Sequence, residues 1–198
     1  MASRKKPATR YHHGVLRAAL LSGAWSIVTK GGVEALSLRS LADAVGVSHA
    51  APAHHFPDKN ALIDALRAEA WQRFAEVLEG AESAGLRSAG RAYVAFASEH
   101  PRQMQLMFRA GSPPTAEVGV QGGRAWAALS RTVAKELGPK RANDAKELSA
   151  MSMAAWAGVH GFASLLTEVA LPDPLTGKAA EALRERVLDV VLAGIAGA

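Results

Sequence analysis

Between Leu36 and Lys59 the chain spells a helix, a glycine-bearing corner and a second helix in the proportions of a helix-turn-helix, and no other segment narrows the fold as much. Ser37 can cap a first helix running through Val45. On that helix Leu38, Leu41, Ala42 and Val45 recur at spacings of three and four and so share one inward face. Gly46 can take the positive φ that ends it, Val47 plugs the corner, and Ser48 can cap the next helix. The second helix then projects His49, Ala50, Ala53 and His54 outward, the arrangement that suits contact with DNA.

Charge falls in the same place. Residues 1–60 carry eight basic side chains (Arg4, Lys5, Lys6, Arg10, Arg17, Lys30, Arg39 and Lys59) against Glu34, Asp43 and Asp58, a net +5. The other 138 residues hold fifteen of each sign, so the whole net charge of the chain lies on the segment with the motif. Five of the seven histidines lie there too. A localised excess of this kind is the electrostatic footprint of a phosphate-binding face.

A chain of 198 residues is long enough for one small domain and one larger one. The absence of cysteine excludes a disulfide framework, a thiolate zinc site and a thiol nucleophile, and it suits a reducing cytosol. The basic start, through Gly14, is followed by no apolar core with a small-residue cleavage site and does not read as a secretion signal. From Leu148 to Leu171 the only charge is Glu168, which is formally the profile of a membrane span. The run is rich in alanine, glycine and serine, carries His160 mid-segment and lacks flanking basic asymmetry, so it reads instead as a bundle centre or subunit interface.

No sustained period-two alternation occurs, and alanine, leucine, glutamate and arginine dominate, which predicts an all-α chain. The expected architecture is an N-terminal three-helix head containing the helix-turn-helix, joined to a larger helical-bundle body. A flexible basic start covers 1–10, the head 11–58 and the body 59–198. A first helix from about Tyr11 to Lys30 ends at Gly31-Gly32, and Pro57-Asp58 precedes a long helix over roughly 59–82 with an inward stripe of Ile63, Leu66, Ala70 and Val77. Further helices are expected near 87–99, 101–109, 115–137, 143–169 and 178–196, separated by His100-Pro101, Gly111 to Pro114, Gly138-Pro139 and Pro172 to Pro174. The Gly119 to Gly123 region should be weak or kinked within its helix.

Over about fifty residues the chain resembles TetR-family bacterial transcriptional regulators. The resemblance rests on the helix before the motif, on Leu38 through Ser48, and on His55-Phe56-Pro57-Asp58-Lys59-Asn60-Ala61-Leu62. The stretch Ala155 to Gly161 is similar to the Trp, His, Gly signature of one C-terminal subclass, and Tyr93 to Arg109 looks like its preceding helices. The resemblance implies a three-helix DNA-binding head, a body that dimerises through its last two long helices, and an internal effector pocket. One position departs from the pattern: the family tends to place an aromatic two residues before the His-Phe pair, where this chain has Ala53, with His54 as the obvious substitute.

Candidate DNA contacts are Ser37, Arg39, Ser48, His49, Ala50, His54, His55 and Lys59. His49 and His54 offer donors to phosphate or a purine edge, whereas Ala50 and Ala53 offer only methyl contact, so direct readout should be thin. His55 fits a phosphate contact or packing beside Phe56, and in the family pattern Lys59 meets a phosphate. A metal at His54-His55 or His12-His13 is disfavoured because adjacent helical residues point about 100° apart.

In the body, Trp156 and His160 lie four apart, with Met153 on the same side. They fit either a satisfied core histidine with its neighbours or an effector-pocket wall completed by Phe96, Met104, Met107, Phe108 and Trp126. Ala154, Ala157, Gly158 and Gly161 allow close helix approach, and Leu183, Val187, Val191 and Ile195 form an apolar stripe for a partner helix. The reading that follows is a dimeric regulator, expected to be a cytoplasmic repressor. A mostly apolar small molecule would release it from a two-fold related double-stranded operator, and no cofactor, metal or membrane is called for. The alternative is a constitutive architectural DNA-binding protein whose body only dimerises. An enzyme using His160 as general base lacks any accompanying nucleophile, carboxylate pair or phosphate loop.

Overall fold

The computed structural model of the chain describes residues 9–109, 113–168 and 179–196, and among them every regular element is helical. In order these are α1 (Thr9–Gly31), α2 (Leu38–Val45), α3 (Lys59–Ala81), α4 (Leu86–Glu99), α5 (Pro101–Met107), α6 (Ala116–Ala142), α7 (Ala145–Glu168) and α8 (Ala179–Ala196). Arg4 to Lys6, the His12 and His13 side chains and the Pro172 to Pro174 break lie outside the described residues. The chain forms two compact units, 1–67 and 68–198, so the division falls inside α3 rather than at the 58/59 break.

In the first unit, α2 begins where Ser37 can satisfy it. Ser37 Oγ accepts the Ser40 N–H at 2.9 Å and Ser40 Oγ accepts the Ser37 N–H at 2.9 Å, pairing two donors that a helix start would otherwise orphan. The helix stops at Gly46, whose φ of 74° is the left-handed value that favours glycine and whose N–H donates to the Ala42 carbonyl. Helix α1 crosses α2 so closely that a Cβ at Gly23 would lie 2.5 Å from a Val45 methyl. Leu20, Ala24, Val28, Leu36, Leu41, Phe56, Leu62 and Leu66 are buried together as the core of this unit. The Arg17 guanidinium lies over the Phe56 ring, 5.5 Å from its centre.

The second helix of the motif is shorter than the sequence suggests. After a turn over 49–51, only Pro52–His54 are helical, and they form a single 3₁₀ turn. Pro52 has no N–H to give the Ser48 carbonyl, which takes the Ala51 N–H at 2.9 Å instead; His55 then bonds back to Pro52 at 3.0 Å.

In the second unit α7 packs on α4, α6 and α8. Ion pairs tie the helices from outside. Arg124 of α6 holds Glu79 of α3 at 2.7 Å, and Arg131 and Lys135 hold Glu82. Arg91 of α4 forks onto Glu185 of α8 at 2.8 and 2.7 Å, with Arg87 bridging to Asp189. The Arg131 hydrogen bond keeps Glu82 below the usual carboxylate range, and the Arg91 hydrogen bond does the same for Glu185.

Two local expectations change. Helix α6 runs unbroken through Gly119–Gly123 and departs from helical geometry only at Gly138, with φ 72°, before Pro139. Glycine lowers helix propensity by about 1 kcal/mol per residue, but here Gly122 faces the Trp71 indole and Ala125 and Ala128 are buried, so packing decides the conformation. On α8 the face buried within the unit is Leu188, Leu192 and Ile195, while Leu183, Val187 and Val191 are only half-buried.

Helices α7 and α8 meet at Gly158, where a Cβ would stand 2.5 Å from Val191 Cγ1. Gly158→Ala should therefore destabilise the unit in urea unfolding, because overpacking against a stiff β-branched side chain costs about 1–3 kcal/mol. Adding Val191→Ala should restore the stability lost to the clash. Independent effects in the double mutant would place the crossing elsewhere.

Candidate functional site

The DNA-facing candidates come from two pieces of one motif. Arg39 and Asp43 lie four apart on α2 and are both exposed, so they share its outer face. His49 reaches that face from the turn, with Nε2 2.8 Å from Asp43 Oδ1. One imidazole nitrogen is thus already engaged and only Nδ1 remains to meet a nucleic acid. Ser48, Ala50, Ala53 and His54 are exposed, whereas His55 is half-buried and tilts against the Phe56 ring, which gives it a packing role. Ser37 is exposed, but its hydroxyl serves the α2 cap. Lys59 opens α3 and is half-buried; Asp58 caps that helix through the Ala61 N–H at 2.8 Å. Neither Arg39 nor Lys59 forms an ion pair among the described residues.

In the second unit the rings converge. Phe74, 1% exposed, sits 4.9 Å from Tyr93 and 5.2 Å from Phe96 between ring centres. Trp71 meets Phe108 at 5.2 Å and Trp156 at 6.3 Å, both edge-on, while Trp126 lies 5.8 Å from Trp156. Phe108 covers His160 at 4.4 Å. Such edge-to-face contacts contribute roughly 0.5–1.5 kcal/mol each beyond area burial.

Of the pocket residues expected from sequence, the structure brings Phe96, Phe108, Trp126, Trp156 and His160 into this cluster. Met104 and Met107 are buried but line neither of the two cavities described below. Met153 is a correction: it is 55% exposed, because the buried side of α7 is centred on Ser152, Ala155, Val159 and Ala163, and Met153 lies beyond its edge.

Sequence reasoning passed over Trp71, Phe74 and Leu78, whose spacing of three and four was the available signal. The inward stripe of α3 lies one position away from the Ala70 to Val77 line in this half of the helix. Tyr93 was also missed as a functional group. Its Oη stands 2.8 Å from His160 Nδ1, so the two share one buried hydrogen bond. Burial raises the Tyr93 pKa far above its ordinary value, and the nearby Trp156 indole lowers it part of the way back, so the hydroxyl stays neutral.

Two small cavities flank this pair. One, bounded by Trp71, Phe74, Trp126 and Trp156, holds about 10 Å³. The other, bounded by Gly90, Tyr93, Trp156, Val159 and Leu192, holds about 20 Å³. Neither has room for more than about one water. No group of three histidines or carboxylates able to hold a metal occurs among the described residues, and no described helix is long and apolar enough to cross a membrane. Tyr93→Phe should lower unfolding free energy by about 1–3 kcal/mol, since it strips His160 of a buried partner. A value near zero in urea titration would show that the pair contributes no stability.

Residues 20–66 match the model of bacterial regulatory proteins of the tetR family, and residues 86–191 match the tetracyclin repressor-like C-terminal domain. Among solved structures, a protein of unknown function from Rhodococcus sp. RHA1 is 31% identical, covering 95% of this chain and 99% of that one with a TM-score of 0.74. A TetR family transcription regulator from Marinobacter aquaeolei VT8 is 16% identical over 92% of this chain and 96% of its own, with a TM-score of 0.64. A TetR-family regulator from Streptomyces coelicolor A3 is 21% identical over 98% and 99%, with a TM-score of 0.55. No curated protein matches the chain in sequence.

Proposed function

The chain belongs to the TetR family of bacterial transcriptional regulators, and from that premise we propose that it is a homodimeric repressor, released from a two-fold related operator by a mostly apolar small molecule. The observation that carries the DNA reading is the capped α2, the left-handed Gly46 corner and the exposed row beyond it, on the unit that holds all the net charge of the chain. Arg39 and Lys59 act on phosphates, and Ser48, His49, Ala50 and His54 face the groove. Base reading is thin, because the reading element is one short turn and His49 shares its ring with Asp43.

Dimerisation is supported by an exposed apolar surface. Met153 and Leu165 on α7 and Val190 on α8 are 55%, 50% and 67% exposed, beside exposed Ala154, Ala157, Gly161, Ala193 and Gly194. Small residues let a second pair of helices approach closely, and a two-fold contact of this surface with itself sets two heads for two half-sites. The effector reading is supported by the aromatic cluster, whose walls are apolar apart from the Tyr93–His160 pair. The body is thus assigned to binding, with no chemistry, and the protein to the cytoplasm with its DNA.

Selection of bound duplexes from a random pool, followed by a ligand screen on the complex, tests this reading directly. Lys59→Ala should weaken specific and random DNA alike and lower the slope of log K against log salt by about 1. His49→Ala should instead relax one position of each half-site, at a cost of about 1–3 kcal/mol. Weakening confined to one base in the lysine variant would remove its phosphate role.

Val190→Arg places a charge in the centre of the proposed subunit contact without touching the core of its own unit. Sedimentation should find monomers, with operator affinity falling together with the dimer. A soluble dimer of unchanged affinity would move the interface to another face.

A further inference from the structure

The two cavities beside the Tyr93–His160 pair are each too small for an organic ligand, yet they share three walls: Leu78, Tyr93 and Trp156. Leu78 and Tyr93 are each 5% exposed and fixed in the core. Trp156 is only half-buried, so it is the one shared wall whose side chain has solvent to move into. We propose that Trp156 is a movable partition whose displacement merges the two cavities into one site for an uncharged, two-ring aromatic ligand carrying a single polar group that hydrogen-bonds the Tyr93 hydroxyl. This rests on the effector reading of the body and specifies its ligand.

Each part of that ligand follows from the walls. Flat aromatic groups fit because Trp71, Phe74 and Trp126 already pack their rings around the first cavity, Trp71 and Phe74 edge-on to each other. Charge is excluded because no ionised side chain lines either space; Glu79 at the nearby α3–α6 contact is already paired with Arg124. The polar group follows from the Tyr93–His160 pair: the Tyr93 hydroxyl, 2.8 Å from His160 Nδ1, lines both cavities and is the hydrogen-bonding group a ligand there would meet.

The second cavity also gives the ligand a mechanical outlet. Its far wall is Val159 of α7 and Leu192 of α8, close along the chain to the Gly158–Val191 contact, which has no slack. Filling the merged site therefore presses α8 outward, on the helix that carries Val190.

N-phenyl-1-naphthylamine, two aromatic groups joined through one N–H, serves as the probe, and 1-benzylnaphthalene, with a methylene in place of the N–H, as its control. Trp156→Ala should bind the amine about tenfold more tightly than the unaltered protein, because the open state no longer has to be selected from a minor population. The unaltered protein should bind one amine per protomer, with an observed rate that levels off at high probe concentration, and should hold 1-benzylnaphthalene about tenfold less tightly than the amine. Should Trp156→Ala fail to fold, Trp156→Leu carries the same expectation, and the rate measurement needs no variant. Equal affinity in both proteins with a rate that never saturates, or two independent probes per protomer, overturns the partition. Under that result, release of operator DNA by the bound probe leaves the effector site standing. The partition signature without any change in DNA affinity overturns the effector reading instead. No binding by either protein overturns both.

Discussion

Burial of the ring of Phe74 organises the body. At 1% exposure it has Tyr93 and Phe96 of α4 against it, with Trp71 one turn earlier on the same helix. Those contacts fix how α3 and α4 pack, and α7 then closes over them through Trp156 and Val159. At this centre the Tyr93 hydroxyl and the His160 ring are hydrogen-bonded to each other. A site of this composition can discriminate ligands by shape and by one hydrogen bond, since a polar group buried without a partner costs more than a misplaced methyl.

The head depends on a different constraint, the chain reversal at Gly46. Its left-handed φ stops α2 after eight residues and turns the chain toward Pro52, which packs in the core with Phe56. Gly23 makes the second allowance, letting α1 approach Val45 to a distance no larger residue permits. Both features follow from small residues at particular positions, and the capping box at Ser37 and Ser40 adds the start signal. These were legible because caps and left-handed glycines are local: a few adjacent residues contain the whole cause. The 3₁₀ form of the next segment was also local, but it required weighing the missing Pro52 N–H against the helical pattern of its neighbours.

In the body, helix ends were legible from the glycines and prolines to within a few residues, whereas the direction of each side chain was not. Met153 and His160 are seven apart and nearly eclipse on a helical projection, yet Met153 is exposed and His160 is bonded to Tyr93. Which edge of α7 faces inward is decided by α4 and α6, and no property of α7 alone reports it. The same reason hid Trp71 and Phe74. Their spacing is as regular as that of Ala70 and Val77, and only the packing of α4 and α7 against that edge selects the aromatic line.

Charge is divided between the units in a way that separates their tasks. In the body Arg87, Arg91, Arg124, Arg131, Lys135 and Arg141 each meet a carboxylate, so these cations are spent on neighbouring helices and are poorly placed to recruit phosphates. Among the described residues of the head Arg39 and Lys59 meet none, and Arg17 stacks on Phe56 instead. The second unit carries no net charge, with fourteen side chains of each sign, and adds little long-range field of its own, so the steering of DNA comes from the first unit. On the proposed reading, an uncharged ligand acting on the body changes DNA affinity through the placement of the heads, because it leaves the zero net charge of the body unaltered.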